Sequence, residues 1–206
     1  MNFLAHLYLS GNNHDIMTGN IFGDFLKGRN ISDFNDNIRN GIKLHKLIDN
    51  FTDHHYIVNQ TKQRLRPVFN HYASVIADIY YDHFLAANWS RYSDIPLKEF
   101  SKNAYHILQK NKDLFPLRFR HVLVYMRFRN LLVSYAEIKG IRFAFNRIAN
   151  ITANPSNINI ADKELIKNYD LYKEEFTKFF PLIKDYVEQN NNIFICSDAN
   201  KIESSG

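Results

Sequence analysis

Residues that interrupt helices are scarce in this chain of 206 residues, which contains seven glycines and five prolines. Apolar residues recur mainly three or four positions apart, which places them on one face of a helix, whereas strand-like alternation is rare. The sequence therefore predicts an all-α fold. The predicted helices span residues 2–9, 14–27, 35–54, 56–66, 68–89, 96–111, 116–134, 136–150 and 162–189.

The composition predicts one folded domain. Apolar residues make up 45% of the chain and aromatic residues 15%, which at this length is enough for one compact core. Neither an internal repeat nor a linker divides the sequence. We expect a single-domain helical bundle over residues 1–189, followed by a flexible tail over 190–206 that opens with three asparagines.

The cysteine count restricts the chemistry. Cys196 is the only cysteine, which excludes an internal disulfide and a cysteine-rich metal site, so any metal must be held by histidines and carboxylates. Gly-rich phosphate loops and a Gly-x-Ser-x-Gly elbow are also absent. No stretch approaches the roughly 18 to 20 apolar residues that span a bilayer, and the N-terminal segment does not resemble a signal peptide. We therefore expect a cytoplasmic protein without a membrane span.

Aspartates within an apolar helical segment indicate a candidate site. Asp78 and Asp82 lie four residues apart in a segment that is apolar or aromatic nearly all round. Aspartate is disfavoured inside helices, and this spacing places both carboxylates on one face, where they repel each other unless a cation or a proton intervenes. A bound metal would resolve the repulsion, so both residues are candidate ligands.

A second segment repeats this spacing with a histidine. His45, Asp49 and Asp53 stand four residues apart, so one helix face can present an imidazole and a carboxylate to a common centre. Such ligands suit Mn, Fe, Zn or Mg-like ions better than thiophilic ones. Asp24, which has glycines nearby, and His6, which lies among leucines, are further candidates. The alternatives are a hydrogen-bonded core histidine for His6 and a helix-end residue for Asp53.

Positive charge is concentrated in the second half of the chain. The net charge is +5, and residues 110–147 contain nine Lys or Arg against Asp113 and Glu137. This stretch predicts either a docking surface for an acidic partner or a solvated helix face. Arginines alternate with phenylalanine at 118–120 and 127–129, but helical bundles place such aromatic rings in the core, so nucleic acid is not the favoured partner.

Several segments follow one another in a distinctive order within the first 90 residues. They are Met1-Asn2-Phe3-Leu4-Ala5-His6-Leu7, Gly19-Asn20-Ile21-Phe22-Gly23-Asp24-Phe25-Leu26-Lys27-Gly28, Gly41-Ile42-Lys43-Leu44-His45-Lys46-Leu47-Ile48-Asp49, Phe51-Thr52-Asp53, Tyr81-Asp82-His83-Phe84-Leu85 and Trp89. Together and in this order, these segments resemble the acyl carrier protein phosphodiesterase family.

The resemblance implies an all-helical fold distantly related to the HD phosphohydrolases. It also implies hydrolysis of the phosphodiester that joins 4′-phosphopantetheine to a serine of acyl carrier protein, giving the apo carrier protein and 4′-phosphopantetheine. Members of the family are manganese-dependent, so Mn²⁺ is the implied cofactor and an acidic carrier protein the implied partner. The His-Asp dipeptide of HD enzymes is missing, because Asp82-His83 has the reverse order.

On this basis each candidate residue has an expected role. The metal candidates are His6, Asp24, His45, Asp49, Asp78 and Asp82. The candidates for catalytic proton handling are Asp24 and His83. Lys27 and Arg29 are candidates for pairing with phosphate oxygens. The candidates for docking the carrier protein are Arg118, Arg120, Arg127 and Arg129.

Two other functions remain open from the sequence. One is an HD-like metal phosphohydrolase that acts on a nucleotide or another small phosphodiester, which would share the metal residues without needing a basic docking face. The other is a non-catalytic helical adaptor, in which the Asp and His pairs form buried hydrogen bonds and the basic face binds an acidic partner. Metal content distinguishes the adaptor from both enzymes.

Overall fold

The computed structural model describes residues 1–26, 28–151 and 157–199, with side chains described as far as residue 190. The described backbone is helical and contains no strand, which confirms the predicted all-α fold. The α-helices are α1 (Phe3–Leu9), α2 (His14–Phe22), α3 (Asp36–His54), α4 (Tyr56–Phe69), α5 (Ala73–Ala87), α6 (Leu97–Lys110), α7 (Leu117–Phe128), α8 (Leu131–Ser134), α9 (Ile138–Ile151), α10 (Ala161–Lys167) and α11 (Tyr169–Ala199). None of the described helices has the length and apolar character needed to cross a bilayer.

Three predicted helices are divided in the structure. Residues 68–89 and 116–134 were each expected to form one helix, but Asn70 and Asn130 interrupt them with a φ of 49°. Asparagine adopts this left-handed conformation more readily than other non-glycine residues do. The predicted helix 162–189 is divided at Asn168, and its second part continues to Ala199. Residues 200–206 of the predicted tail lie outside the described part of the chain.

Helix α5 lies at the centre of the core. Tyr80, Tyr81 and Phe84 are completely buried, which confirms the prediction of a buried helix in this segment. Phe176 and Phe179 of α11 pack on it, with ring centroids 5.8 Å from Phe84 and 5.5 Å from Tyr81 respectively. Full burial of a large apolar side chain contributes about 1.5–3 kcal/mol, so this pairing fixes α5 as a scaffold for the elements around it.

Glycines bring α2 and α3 into close contact. A Cβ atom on Gly41 of α3 would lie only 2.2 Å from the carbonyl oxygen of Ile16, and one on Gly19 of α2 would lie 2.1 Å from that of Ile38. No larger residue fits at either position without moving a helix. The close approach places the C-terminal end of α2 beside the polar face of α3.

Candidate metal centre and catalytic cavity

One face of α3 presents the paired imidazole and carboxylate that the sequence predicted. His45 Nε2 lies 3.0 Å from Asp49 Oδ2, one helical turn away. Asp53, one further turn along, forms an ion pair with Lys62 at 2.7 Å instead of reaching the same centre. The pair on α3 is therefore His45 and Asp49.

His6 of α1 completes this group from a second helix. Its Nε2 lies 3.1 Å from Asp49 Oδ1, and its ring stacks on that of His45 with centroids 4.6 Å apart. Asn20 of α2 fixes the orientation of His6: its Oδ1 is 2.8 Å from His6 Nδ1, while its Nδ2 donates to His6 O and Ser10 Oγ. Because Asn20 Oδ1 can only accept, His6 Nδ1 carries the hydrogen. Nε2 is then the nitrogen that faces Asp49, and in the neutral imidazole its lone pair could bind a cation.

Asp24 approaches from the turn that follows α2. It lies in a short 3₁₀ helix (Gly23–Phe25), and its Oδ1 is 3.3 Å from His45 Nε2. A Cβ on Gly23 would lie 2.3 Å from His45 Cγ, so the glycine gives the imidazole room beside Asp24. The Asp24 side chain is 55% exposed, which places it between the buried histidines and solvent.

The contacts within this cluster favour the charged forms of His45 and Asp49. Burial alone would lower the pKa of His45, but hydrogen bonds to Asp24 and Asp49 raise that pKa to about 9. Burial alone would raise the pKa of Asp49, but hydrogen bonds to His45 and His6 hold it far below its usual range. Asp49 is therefore a carboxylate with one oxygen toward each imidazole, and its negative charge favours a cation beside it.

The donor atoms converge closely enough for one ion. His6, His45 and Asp49 each offer an atom within 4.8 Å of the others, and His6 and His45 are buried. Imidazole nitrogen and carboxylate oxygen are ligands of Mn, Fe and Zn. His45 Nδ1 is buried and has no hydrogen-bond partner among the described residues, so of the two rings only His6 has a partner on its other nitrogen.

Asp78 of α5 lies at the edge of the cluster. Its Oδ1 is 3.3 Å from the Met1 amino nitrogen, which is also 3.7 Å from Asp49 Oδ1. Asp78 is thus connected to the cluster through an amino group and has no direct contact with the imidazoles among the described ion pairs.

Asp24, His45 and Asp49 of the cluster line a cavity of about 600 Å³, whereas His6 is not among the lining residues. The polar wall of this cavity includes Asp24, His45, Asp49, Asp53 and Asp78. The remaining lining is mostly apolar and comes from α5, α7, α8 and α9, with Val75, Ile79, Val122, Met126, Leu131, Ile148 and Ile151. A polar head group and an apolar or extended arm of one ligand can therefore lie side by side in this cavity.

A family model described as acyl carrier protein phosphodiesterase matches residues 1–183. The chain belongs to this family. Relatives named acyl carrier protein phosphodiesterase include those of Klebsiella pneumoniae and Escherichia coli O6:H1, each 30% identical, and that of Pectobacterium atrosepticum, 28% identical. Each alignment covers 88% of this chain and 94% of the relative. No solved structure gives a significant match, so the HD-like relationship stays a prediction.

In this member of the acyl carrier protein phosphodiesterase family, Asp82 contacts the backbone of α1. It is completely buried, does not line the cavity, and accepts the backbone N–H groups of Leu4 and Ala5 at 2.8 and 3.1 Å. The first N–H groups of a helix have no acceptor within the helix. In α1, the oxygens of Asp82 act as acceptors for two of them. The Asp82 side chain thus holds the first turn of the helix that carries His6, and its role as a metal ligand stays a prediction.

His83 is also held away from the cavity. Its Nδ1 is 2.7 Å from the carbonyl oxygen of Tyr135, and its Nε2 is 3.0 Å from the hydroxyl of Tyr169. Burial lowers the pKa of His83. Both ring nitrogens are engaged within the protein, and His83 is not among the residues that line the cavity, so its catalytic role stays a prediction.

The predicted basic residues have different environments. Lys27 lies outside the described residues. Arg29 donates to the carbonyl oxygen of Leu114, and Arg120 donates to Asp113 and to the carbonyl oxygen of Phe115, so both are engaged within the protein. Three of the predicted docking residues are exposed: Arg118, Arg127 and Arg129.

Three residues of the site were missed from the sequence. For Asn20 the sequence contains only a weak signal, a polar residue between a glycine and apolar residues near the end of a helix. The structure shows that this side chain is buried. Tyr125 and Arg147 line the cavity, but their helices α7 and α9 are far from the Asp and His segments in sequence. Only the packing of these helices over the cluster reveals them.

Proposed function

We propose that this chain hydrolyses the phosphodiester between 4′-phosphopantetheine and a serine of acyl carrier protein, with one or two divalent ions bound at the His6–His45–Asp49 cluster. The observation that carries the proposal is the convergence of two imidazoles and a carboxylate, within 4.8 Å, beside a cavity of about 600 Å³. The relatives are named acyl carrier protein phosphodiesterase, and a cation site beside a ligand cavity suits hydrolysis of a phosphodiester.

The residues fit a divalent ion. His6 Nε2 and His45 Nε2 both face Asp49, and Asp24 adds a second carboxylate 3.3 Å from His45. Such nitrogen and oxygen donors suit Mn²⁺, the ion implied by the family resemblance. When bound, the ion would polarise a phosphoryl oxygen and lower the pKa of a water molecule.

The side chains of the cluster have distinct parts in the proposed reaction. Asn20 holds His6 in one orientation, and Asp49 fixes both imidazoles. The partly exposed Asp24 can accept the proton of the attacking water. The water oxygen bonds to phosphorus, the bond from phosphorus to the serine oxygen breaks, and that oxygen takes up a proton to leave as the serine hydroxyl.

The lining of the cavity suits the pantetheine arm. The phosphodiester would lie at the polar wall formed by Asp24, His45 and Asp49, and the arm would extend along the apolar side chains of α7 and α9. The carrier protein itself would stay outside, so its surface needs a separate docking face.

The decisive experiment is incubation of the protein with holo acyl carrier protein and Mn²⁺, with and without a chelator, while the mass of the carrier is followed. We expect a chelator-sensitive loss of the phosphopantetheine mass. Asp49→Asn and Asp24→Ala should reduce this loss at least tenfold, because each removes a carboxylate from the cluster. Asp33→Ala, at an exposed site outside the cavity, is the matched control and should keep wild-type activity.

Two results would contradict the proposal and separate its alternatives. An unchanged carrier mass despite bound manganese would indicate a phosphohydrolase with a smaller phosphoester substrate. An unchanged mass with no bound divalent ion would favour the non-catalytic adaptor, with the cluster as a buried hydrogen-bond network.

A further inference from the structure

Arg147 of α9 is the one Lys or Arg among the described residues that line the cavity. Its guanidinium carbon lies 3.6 Å from the ring centroid of Tyr125 of α7, which is also a lining residue. This distance places the guanidinium over the face of the ring, a cation–π contact that does not use its N–H groups.

The N–H donors of Arg147 have no acceptor within the described part of the chain. Other arginines of the protein are engaged differently: Arg64 pairs with Glu175, and Arg142 pairs with the buried Asp162. Arg147 is instead an exposed residue at the cavity, held against the Tyr125 ring, and its five donors remain available to a ligand. A planar oxyanion or phosphate is the ligand that this fork matches.

The carboxylates of the cavity disfavour a phosphate ligand. Four aspartates line it, of which Asp53 is paired with Lys62 and Asp78 with the Met1 amino group, while Asp24 and Asp49 lie beside His45. A divalent ion at the cluster would offset part of this repulsion, and Arg147 supplies positive charge from a different helix.

We propose that Arg147 contacts the phosphate group of the ligand in this cavity, and that Tyr125 is the positioning residue that holds the guanidinium. The proposal rests on the proposed function for the identity of the ligand, since it assigns Arg147 to the phosphate of the 4′-phosphopantetheine arm. It adds a contact from α9 to a site otherwise built from α1, α2 and α3.

The test measures binding of two probes, 4′-phosphopantetheine and inorganic phosphate, to the manganese-loaded full-length protein by calorimetry. Arg147→Gln should weaken binding of both at least tenfold and raise KM for the carrier protein, while the manganese content stays at the wild-type level. Arg147→Lys should recover only part of the affinity, because an ammonium cannot donate two parallel hydrogen bonds. Arg66→Gln, at an exposed arginine of α4 outside the cavity, should behave as the wild type.

Tyr125 is tested with a pair of variants. Tyr125→Leu removes the ring and should weaken binding of both probes about threefold to tenfold, because the guanidinium loses its platform. Tyr125→Phe keeps the ring and should restore wild-type affinity. A purely structural role for Tyr125 would change stability without this difference in probe affinity.

The outcomes separate this inference from the proposed function. Binding of 4′-phosphopantetheine that depends on Arg147, without cleavage of the carrier protein, would support the inference and contradict the proposed function. Cleavage of the carrier protein with unchanged KM and probe affinity in Arg147→Gln would overturn the inference alone. Loss of manganese from Arg147→Gln, or failure of the wild type to bind either probe, would also overturn it.

Discussion

Asp82 is a buried carboxylate whose protonation is coupled to folding. It accepts two N–H groups from the first turn of α1, yet burial raises its pKa to about 7 from the ordinary value of 3.8. The folded protein therefore keeps a proton on Asp82 that the unfolded chain releases above about pH 4. Asp82 contributes stability that is fully present below the unfolded pKa and is lost as the pH rises through about 7.

Asp82→Asn removes this titration and should change the pH dependence of stability. Relative to the wild type, the free energy of unfolding of the variant should rise by roughly 1 to 4 kcal/mol between about pH 4 and about pH 8. Urea denaturation at several pH values measures this difference. Asp94→Asn, at an exposed site, is the control and should follow the wild type throughout. A constant offset between Asp82→Asn and the wild type would rule out the coupling.

Local spacing predicted some of the residue pairs and not others. His45 and Asp49 lie on one helix, so their separation of four residues was enough to predict that they meet. The same spacing predicted that Asp78 and Asp82 share one helix face, but the two carboxylates have different partners. Asp82 contacts an α1 backbone 77 and 78 residues away in sequence, and Asp78 contacts the Met1 amino group. Such partners depend on helix packing, which spacing within one helix does not contain.

The contact between α2 and α3 determines the geometry of the cluster at the scale of helices. Helix α2 carries Asn20 and leads into Asp24, whereas α3 carries His45 and Asp49. Gly41 lies at the crossing, where a Cβ would be 2.2 Å from the carbonyl oxygen of Ile16 and 2.8 Å from Asn20 N. Any side chain there must push apart the two helices that hold the cluster.

Gly41→Ala should therefore destabilise the protein by roughly 1–3 kcal/mol or more, through overpacking. Helix propensity alone predicts the opposite sign, a gain of about 1 kcal/mol. The variant should also bind Mn²⁺ more weakly. If α2 moves away from α3, Asn20 and the Asp24 turn that follows α2 move away from His45 and Asp49 as well. Thermal unfolding and metal titration measure the two effects.

A substitution at a second glycine distinguishes a loss of stability from a displacement of the metal-binding residues. Gly11 has a φ of +64°, and nothing lies within 4 Å of a Cβ built there. Gly11→Ala should cost about 1 kcal/mol of stability through backbone strain while leaving Mn²⁺ affinity unchanged. If Gly41→Ala also kept wild-type metal affinity, the α2–α3 crossing would not set the cluster geometry.

Sequence periodicity predicted the existence of the helices better than their ends. Apolar spacing located α1, α3, α6 and α9 close to their observed bounds, because amphipathic patterns extend over several turns. It missed the interruptions at Asn70 and Asn130, where a single left-handed residue ends one helix without disturbing the apolar pattern on either side. The apolar wall formed by α7 and α9 could not be predicted at all, because it depends on which helices pack over the cluster.

Across the whole molecule, the cavity and the predicted docking surface share one helix. The inner side of α7 contributes Val122, Tyr125 and Met126 to the cavity. Its outer side exposes Leu117, Val124 and Phe128, with Phe128 83% exposed. The exposed Arg118 and Arg127 lie on the same helix, so a partner bound to the outside of α7 would be held close to the cavity.

Charge reversal on α7 tests whether this outer side docks an acidic carrier protein. Arg127→Glu, three residues after Val124, should raise KM for the carrier protein about tenfold at low salt, with kcat and the melting temperature unchanged, because an exposed rim charge acts mainly on encounter. The increase should shrink in about 0.5 M salt, where the Debye length falls to a few ångström. Arg66→Glu makes the same change in net charge on α4, outside the cavity and outside α7. An equal rise in KM for both variants would show that overall charge, and not the outer side of α7, attracts the carrier protein.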